Sequence, residues 1–130
     1  MSTIFTQIIE RKIPASIVYE DEQVIAFLDI HPVVDGHLPV VVKEEYEWVQ
    51  DVPDDLLCHL FLTVKKLIPA MKQGLGCDYV HVSIVGKDVP HVHVHLIPRM
   101  TDDHLEGWNT HAYANEEEKN QFAQMITGNL

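Results

Sequence analysis

The sequence predicts an α+β fold: a five-stranded antiparallel sheet with one long helix packed across it, a short N-terminal helix and a C-terminal helical tail. Three observations carry the prediction. Five short β-rich runs are punctuated by turn residues. A single long apolar stripe of helical period falls between the third and fourth runs. The order strand, strand, strand, helix, strand, strand suits hairpin connections with the helix laid over one face.

Length and composition set the frame. A chain of 130 residues with 46% hydrophobic and 22% charged residues supports one hydrophobic core. We therefore expect one domain over residues 1–130, with a core at about 3–99 and an extension from 100 to 130. The 9 Lys+Arg against 20 Asp+Glu give a formal charge of −11, which repels a nucleic-acid polymer or an anionic membrane surface. Any phosphate handled should sit on a small molecule. Cys58 and Cys77 have no CxxC spacing and read as reduced thiols. No apolar run approaches a membrane span and no leader pattern precedes Ile4, so a cytoplasmic location is expected.

The elements follow in order. Ile4, Phe5, Ile8 and Ile9 recur at helical spacing until Pro14 breaks the pattern. Ser16 to Tyr19 and Gln23 to Leu28 form a hairpin about the acidic turn Glu20-Asp21-Glu22. His37 to Val42 is the third strand, and Pro39, which has no N–H to donate, should lie at an edge or beside an irregularity. Lys43 to Trp48 reads as an exposed helical turn. The long helix runs from about Pro53 to Gly74, with Leu56, Leu60, Val64, Leu67 and Met71 on its stripe. Pro69 should kink its last turn or end it early, and His59 lies off the stripe on the solvated side.

Asp78 to Val85 is the fourth strand and Val89 to Ile97 the fifth. A tight two-residue turn between them would set His81 opposite Val92, facing away from the fifth strand's histidines. Asn115 followed by three glutamates announces the tail helix, to about Ile126.

The chemistry concentrates in His91-Val92-His93-Val94-His95-Leu96-Ile97. On a strand the three imidazoles share one face about 6.5 to 7 Å apart, while Val92, Val94 and Leu96 share the other. Such a row can ligate a metal, with His37 as a fourth donor. It can equally act as a nucleophile, with a neutral imidazole nitrogen attacking phosphorus while its neighbours bind phosphate oxygens. On spacing alone both remain open.

The motif resembles the H-φ-H-φ-H-φ-φ signature of the histidine triad (HIT) superfamily, in which φ is apolar. The segments Ile4 to Ile9, Ile13 to Asp21, Ala26 to Ile30 and Pro32 to His37 look like the Hint, or histidine triad nucleotide-binding, branch, over roughly residues 3 to 99. The resemblance implies a HIT-like homodimer that binds a purine nucleoside monophosphate or its phosphoramidate or ester. It implies a nucleoside phosphoramidase or nucleotidyl hydrolase acting through a nucleotidyl-histidine. Position by position, His93 attacks the α-phosphorus, His95 binds phosphate oxygens, and His91 with His37 orients the nucleophile. Asp29 holds the ribose, Ile4, Phe5, Ile8, Phe27, Ile30 and Pro39 wall the base, and Asp88 stands beside the phosphate.

Several positions depart from the relatives. Thr3 and Thr6 stand where many of them carry a zinc-binding CxxC, and Glu45 where a histidine often follows. No structural zinc is expected, and the implied chemistry needs no metal or cofactor. Ile84 occupies the usual Asn position, and an ionised Asp88 repels phosphate unless it turns away. Two other readings stand beside the phosphoramidase. Pro32 to His37 and the Pro98-Arg99 after the triad also resemble the fragile-histidine-triad branch, which implies a dinucleoside polyphosphate hydrolase, and the altered 83–88 segment suits a nucleotide-binding scaffold protein with residual catalysis. His104, Trp108 and His111 in the tail are placed to close over the site or reach a partner's pocket.

Overall fold

The computed structural model describes residues 3–130. Its elements are α1 (Ile4–Ile9), β1 (Ile17–Glu20), β2 (Val24–Phe27), β3 (Leu38–Val42), α2 (Asp54–Leu75), β4 (Tyr79–Ser83), β5 (His93–Arg99) and α3 (Glu116–Thr127), with one 3-10 turn at Val49–Asp51. The five strands form one sheet in the order β1-β2-β3-β5-β4, antiparallel at every pairing, as expected from the sequence. No helix among the described residues is long and apolar enough to cross a membrane.

Alternation sorts the strand residues into two layers. Val24, Ala26, Val40, Val42, Val94 and Leu96 join Leu60, Val64, Leu67 and Met71 of α2 in the larger cluster. Ile25, Phe27 and Val41 turn the other way and pack on Phe5 and Ile8 of α1. The histidines belong to this second face, because His93 lies directly opposite Val41. A hydrophobic cluster on the opposite side of β5 therefore anchors the site strand.

Several elements depart from expectation. Helix α2 runs through Pro69 to Leu75 and stops at Gly76, which adopts the left-handed conformation at φ 69°. The proline costs the helix a backbone bond without ending it, and Leu67, Ala70 and Met71 on both sides of it stay buried in the core. Lys43 to Trp48 forms no helical turn, since Tyr46 is drawn inward and its carbonyl accepts from Val92 N–H. Pro39 sits in a central strand. Its β5 side pairs with His95, while the β2 ladder stops at Ala26–Val40, one residue short of it. His59 is not simply solvated, because its Nε2 lies 2.7 Å from Asp21 Oδ2 and ties α2 to the β1–β2 turn.

The last correction matters most for the site. β5 begins at His93 rather than Val89, and the β4–β5 connection is a long loop instead of a two-residue turn. The register becomes His81 opposite Ile97 and Ser83 opposite His95. Relative to the expected pairing of His81 with Val92 the partner moves by five positions, an odd number, so every β4 side chain changes face. His81 and Ser83 thereby share the face of His93 and His95.

The tail is part of the packing. Asn115 caps α3 by accepting from Glu118 N–H at 2.8 Å. Ala123 and Ile126 then enter the larger cluster against α2 and β1.

Candidate active site

His37, His91, His93 and His95 are all buried, none more than 2% exposed. Each is held by partners whose chemistry assigns its proton, because a backbone N–H only donates and a carbonyl only accepts.

Val33 N–H donates to His37 Nδ1 at 3.1 Å, which leaves the His37 proton on Nε2. That proton goes to His95 Nδ1 at 2.9 Å. His95 therefore carries its own proton on Nε2 and presents an N–H. On His93 the assignment is reversed: Nδ1–H donates to the His91 carbonyl at 2.6 Å, so Nε2 presents a lone pair. His91 donates from Nε2 to the Val42 carbonyl at 2.6 Å and accepts at Nδ1 from the Thr3 hydroxyl at 2.8 Å. The His91 ring is thus an anchor, and the carbonyl of His91 is what orients His93.

Burial keeps these rings neutral. It pushes His37 down to about 3 and His95 down to about 4, helped by their positive neighbours when charged. It also lowers His91, against the raising influence of the Val42 carbonyl.

Among the described residues, three buried side-chain polar atoms have no hydrogen-bond partner: His93 Nε2, His95 Nε2 and Ser83 Oγ. All three belong to the same face of β4 and β5. A lone pair, an imidazole N–H and a hydroxyl are therefore left unsatisfied beside one another, and unpaired buried polar atoms are costly unless a ligand meets them. Ser83 was not singled out from sequence. The parity of the β4–β5 register is the signal that finds it, and the sequence does not display loop length in residues of strand.

The other predicted residues take two positions. Ile4, Phe5, Ile8, Phe27, Asp29, Ile30 and Pro39 all line one cleft of about 70 Å³, together with Ile13, Pro14, Ala15 and Leu28. Phe5 sits edge-on to His93 with ring centroids 4.8 Å apart and to Phe27 at 5.5 Å, so one wall of the cleft packs against the His93 ring. Asp29 Oδ2 lies 3.9 Å from His37 Nε2, and burial raises this carboxyl above its ordinary range against the His31 N–H it accepts. Asp88 is not in the cleft. Its Oδ1 stands 3.6 Å from His93 Nε2, and the residue borders a separate recess with Thr3, Ile4, Glu45 and Glu47.

The tail closes the far end. Trp108 packs edge-on against His95 at 4.9 Å and His37 at 5.6 Å. His111 Nε2 reaches Asp35 Oδ1 at 2.6 Å, and Tyr113 accepts from Gly36 N–H at 2.8 Å, so the tail holds the turn that carries His37. His104 is exposed and takes no part in these contacts.

Two groups have ligand atoms close enough for a metal, Asp29–His37–His95 and Asp88–His93–His95. Both need a lone pair from His95 or His37 that the proton assignment denies, since His37 Nε2 donates and His95 Nε2 carries hydrogen. Thr3, Thr6 and Glu45 likewise form a hydrogen-bonded chain on His91, with Thr6 Oγ1 donating to Glu45 Oε1 at 2.7 Å. Two hydroxyls there are poor zinc ligands.

The fold and site define an α+β sheet protein with a cluster of four buried histidines, three of them at and just before β5. The chain belongs to the HIT family, whose HIT-domain model matches residues 10–102. It is 46% identical to an uncharacterised HIT-like protein of Methanocaldococcus jannaschii, over 77% of this chain and 81% of that one. Among solved structures it is similar to a Hit-like protein of Bartonella henselae described as involved in cell-cycle regulation, with TM-score 0.88 and 30% identity over 99% of this chain and 96% of that one. It is also similar to a hypothetical histidine triad nucleotide-binding protein of Sulfolobus tokodaii, with TM-score 0.85 and 27% identity over 96% and 89% of the two chains.

Proposed function

We propose that the protein is a purine nucleotide-binding hydrolase, a nucleoside phosphoramidase or nucleotidyl hydrolase, that cleaves at the α-phosphate through a nucleotidyl-histidine. The opposed tautomers of His93 and His95 carry this reading: one ring offers a lone pair, its neighbour a proton. Both features suit a phosphorus centre, which needs a nucleophile along one axis and donors on its oxygens.

In the first step the His93 Nε2 pair forms a bond to the α-phosphorus. The bond to the leaving amine breaks, and the amine departs with that electron pair and takes up a proton from solvent. His95 Nε2–H and the Ser83 hydroxyl donate to the phosphoryl oxygens. Water then attacks the same phosphorus and gives up a proton to solvent, the P–N bond to His93 breaks, and Nε2 regains its lone pair. The base enters the apolar cleft at Phe5 and Phe27, and the Asp29 carboxylate accepts from the ribose hydroxyls.

The dinucleoside polyphosphate reading is disfavoured by Arg99. Its guanidinium is bound twice by Asp103, at 2.6 and 2.9 Å, and is committed away from any polyphosphate chain.

Brief mixing with adenosine phosphoramidate, quenched at alkaline pH where a phosphorus–imidazole bond survives, should yield an adenylylated peptide containing His93. His93→Ala should lower turnover by at least about 10³-fold while retaining nucleotide protection in thermal melts. Full activity in that variant would overturn the nucleophile assignment. Nucleotide protection without turnover in the unmodified protein would favour the scaffold reading.

A further inference from the structure

Asp88, 3.6 Å from His93 Nε2, borders an open recess of about 590 Å³ that is also lined by Thr3, Ile4, Glu45, Glu47, Val89 and Pro90. Three of these residues are acidic and none is basic. Glu45 is engaged with Thr3 and Thr6, whereas no lysine or arginine pairs with Glu47 or Asp88 among the described residues.

An acidic cluster alone would carry no ligand, but this one adjoins a reaction centre. Asp88 Oδ1 stands 3.6 Å from the unpartnered His93 Nε2, which is 98% shielded from solvent with its ring. Ile4 lines both this recess and the apolar cleft, so the two hollows meet at one side chain.

We propose that the recess receives the leaving group and selects amines that bear a second positive charge. This inference rests on the function proposed above and specifies its substrate class. With the nucleoside in the apolar cleft and phosphorus at His93, the remaining phosphorus substituent is the amine, and the recess is the hollow left for it. Two unpaired carboxylates there attract a distal ammonium and repel an anionic leaving group such as a second nucleotide. The distal charge takes no part in bond breaking: the P–N pair still leaves with the proximal nitrogen, which takes up a proton.

Three adenosine 5′-phosphoramidates of matched length test this: one from 1,4-diaminobutane, one from butylamine and one from 4-aminobutyrate. The cationic conjugate should exceed the neutral one by about tenfold in kcat/KM, and the anionic one should fall below it, with the spread shrinking at high salt. Glu47→Gln should cut the cationic advantage to about threefold or less and leave hydrolysis of unsubstituted adenosine phosphoramidate unchanged. Glu47→Lys should reverse the order of the charged pair.

Equal rates for all three, with the unsubstituted compound still hydrolysed, would overturn the inference and leave the proposed function standing. A charge preference unaltered by both Glu47 variants would overturn it as well. Absence of turnover of adenosine phosphoramidate itself would remove the proposed function, and this inference with it.

Discussion

At the scale of the residue, the site depends on where four protons lie, and backbone groups decide that. Val33 N–H fixes His37, which fixes His95, and the His91 carbonyl fixes His93 in the opposite sense. The arrangement has a pH consequence. His37 and His95 stay neutral in the folded chain down to about 3 and about 4, whereas both take a proton near 6.5 when unfolded. The unfolded state therefore binds more protons as pH falls below about 6.5, and stability declines from there toward pH 4. The slope is at most about 1.4 kcal/mol per pH unit for each group. Urea denaturation at pH 7 and pH 5 should show this loss, and His95→Gln should flatten it. Equal sensitivity in that variant would show that His95 does not contribute. Ser83 belongs to the same scale. Its hydroxyl is one of the three unsatisfied buried atoms, and Ser83→Ala should lower kcat by about tenfold to a hundredfold with little change in melting temperature. Unchanged kcat would remove it from the site.

At the scale of the element, helix packing supports the strand pair from behind. α2 crosses the sheet with Leu60, Val64, Leu67 and Met71 buried, and α3 lies across its C-terminal end. The crossing is close at Gly74, where an added Cβ would meet the Met125 carbonyl oxygen at 1.9 Å and its carbon at 2.7 Å. Those are backbone atoms, so no rotamer change relieves the clash and α3 must shift. Gly74→Ala should cost about 2 to 4 kcal/mol, read as a lowered urea midpoint, and should loosen α3 in hydrogen exchange. A variant as stable as the parent would mean that α3 is not held at this crossing. Gly36 is constrained differently: at φ 98° it makes the turn before His37 and lies against Leu75 and Pro98.

At the scale of the whole molecule, β4 is an edge strand whose exposed groups invite pairing. Tyr79 and Val82 along it, and Ile84 and Val85 just beyond its end, are each at least 38% exposed, and Phe61 and Leu62 of α2 are exposed apolar groups as well. An uncovered apolar edge of this kind would suit the homodimer expected from the family resemblance, with a second copy extending the sheet. Sedimentation of the parent should give twice the chain mass. Val82→Asp, which sets a charge in that edge, should shift it toward monomer at micromolar concentration. A monomeric parent would remove the dimer.

Much of this was legible in the residues because it depends on local pattern. Alternation at His91 to Leu96 sorts imidazoles from core residues whatever the strand pairs with. The α2 stripe, the Asn115 cap and the −11 charge likewise read directly. Seven of the eleven residues lining the apolar cleft follow from resemblance in the segments around Phe5, Phe27 and Asp29, whereas Ile13, Pro14, Ala15 and Leu28 do not.

The rest required the fold because it depends on distances between segments far apart in the chain. Register parity across the β4–β5 loop turned His81 and Ser83 onto the site face, and no feature of β4 alone records that parity. Pro39 could enter a central strand because the missing N–H falls where the β2 ladder lapses. Trp108 came to rest on His95 because Arg99–Asp103 and His111–Asp35 steer the tail back over the His37 turn. The sequence by itself determined which imidazoles share a face and which strand displays them. The tertiary structure decided which nitrogens of His91 and His95 are free, because the Val42 carbonyl and the His37 ring that make that choice come from other segments of the chain.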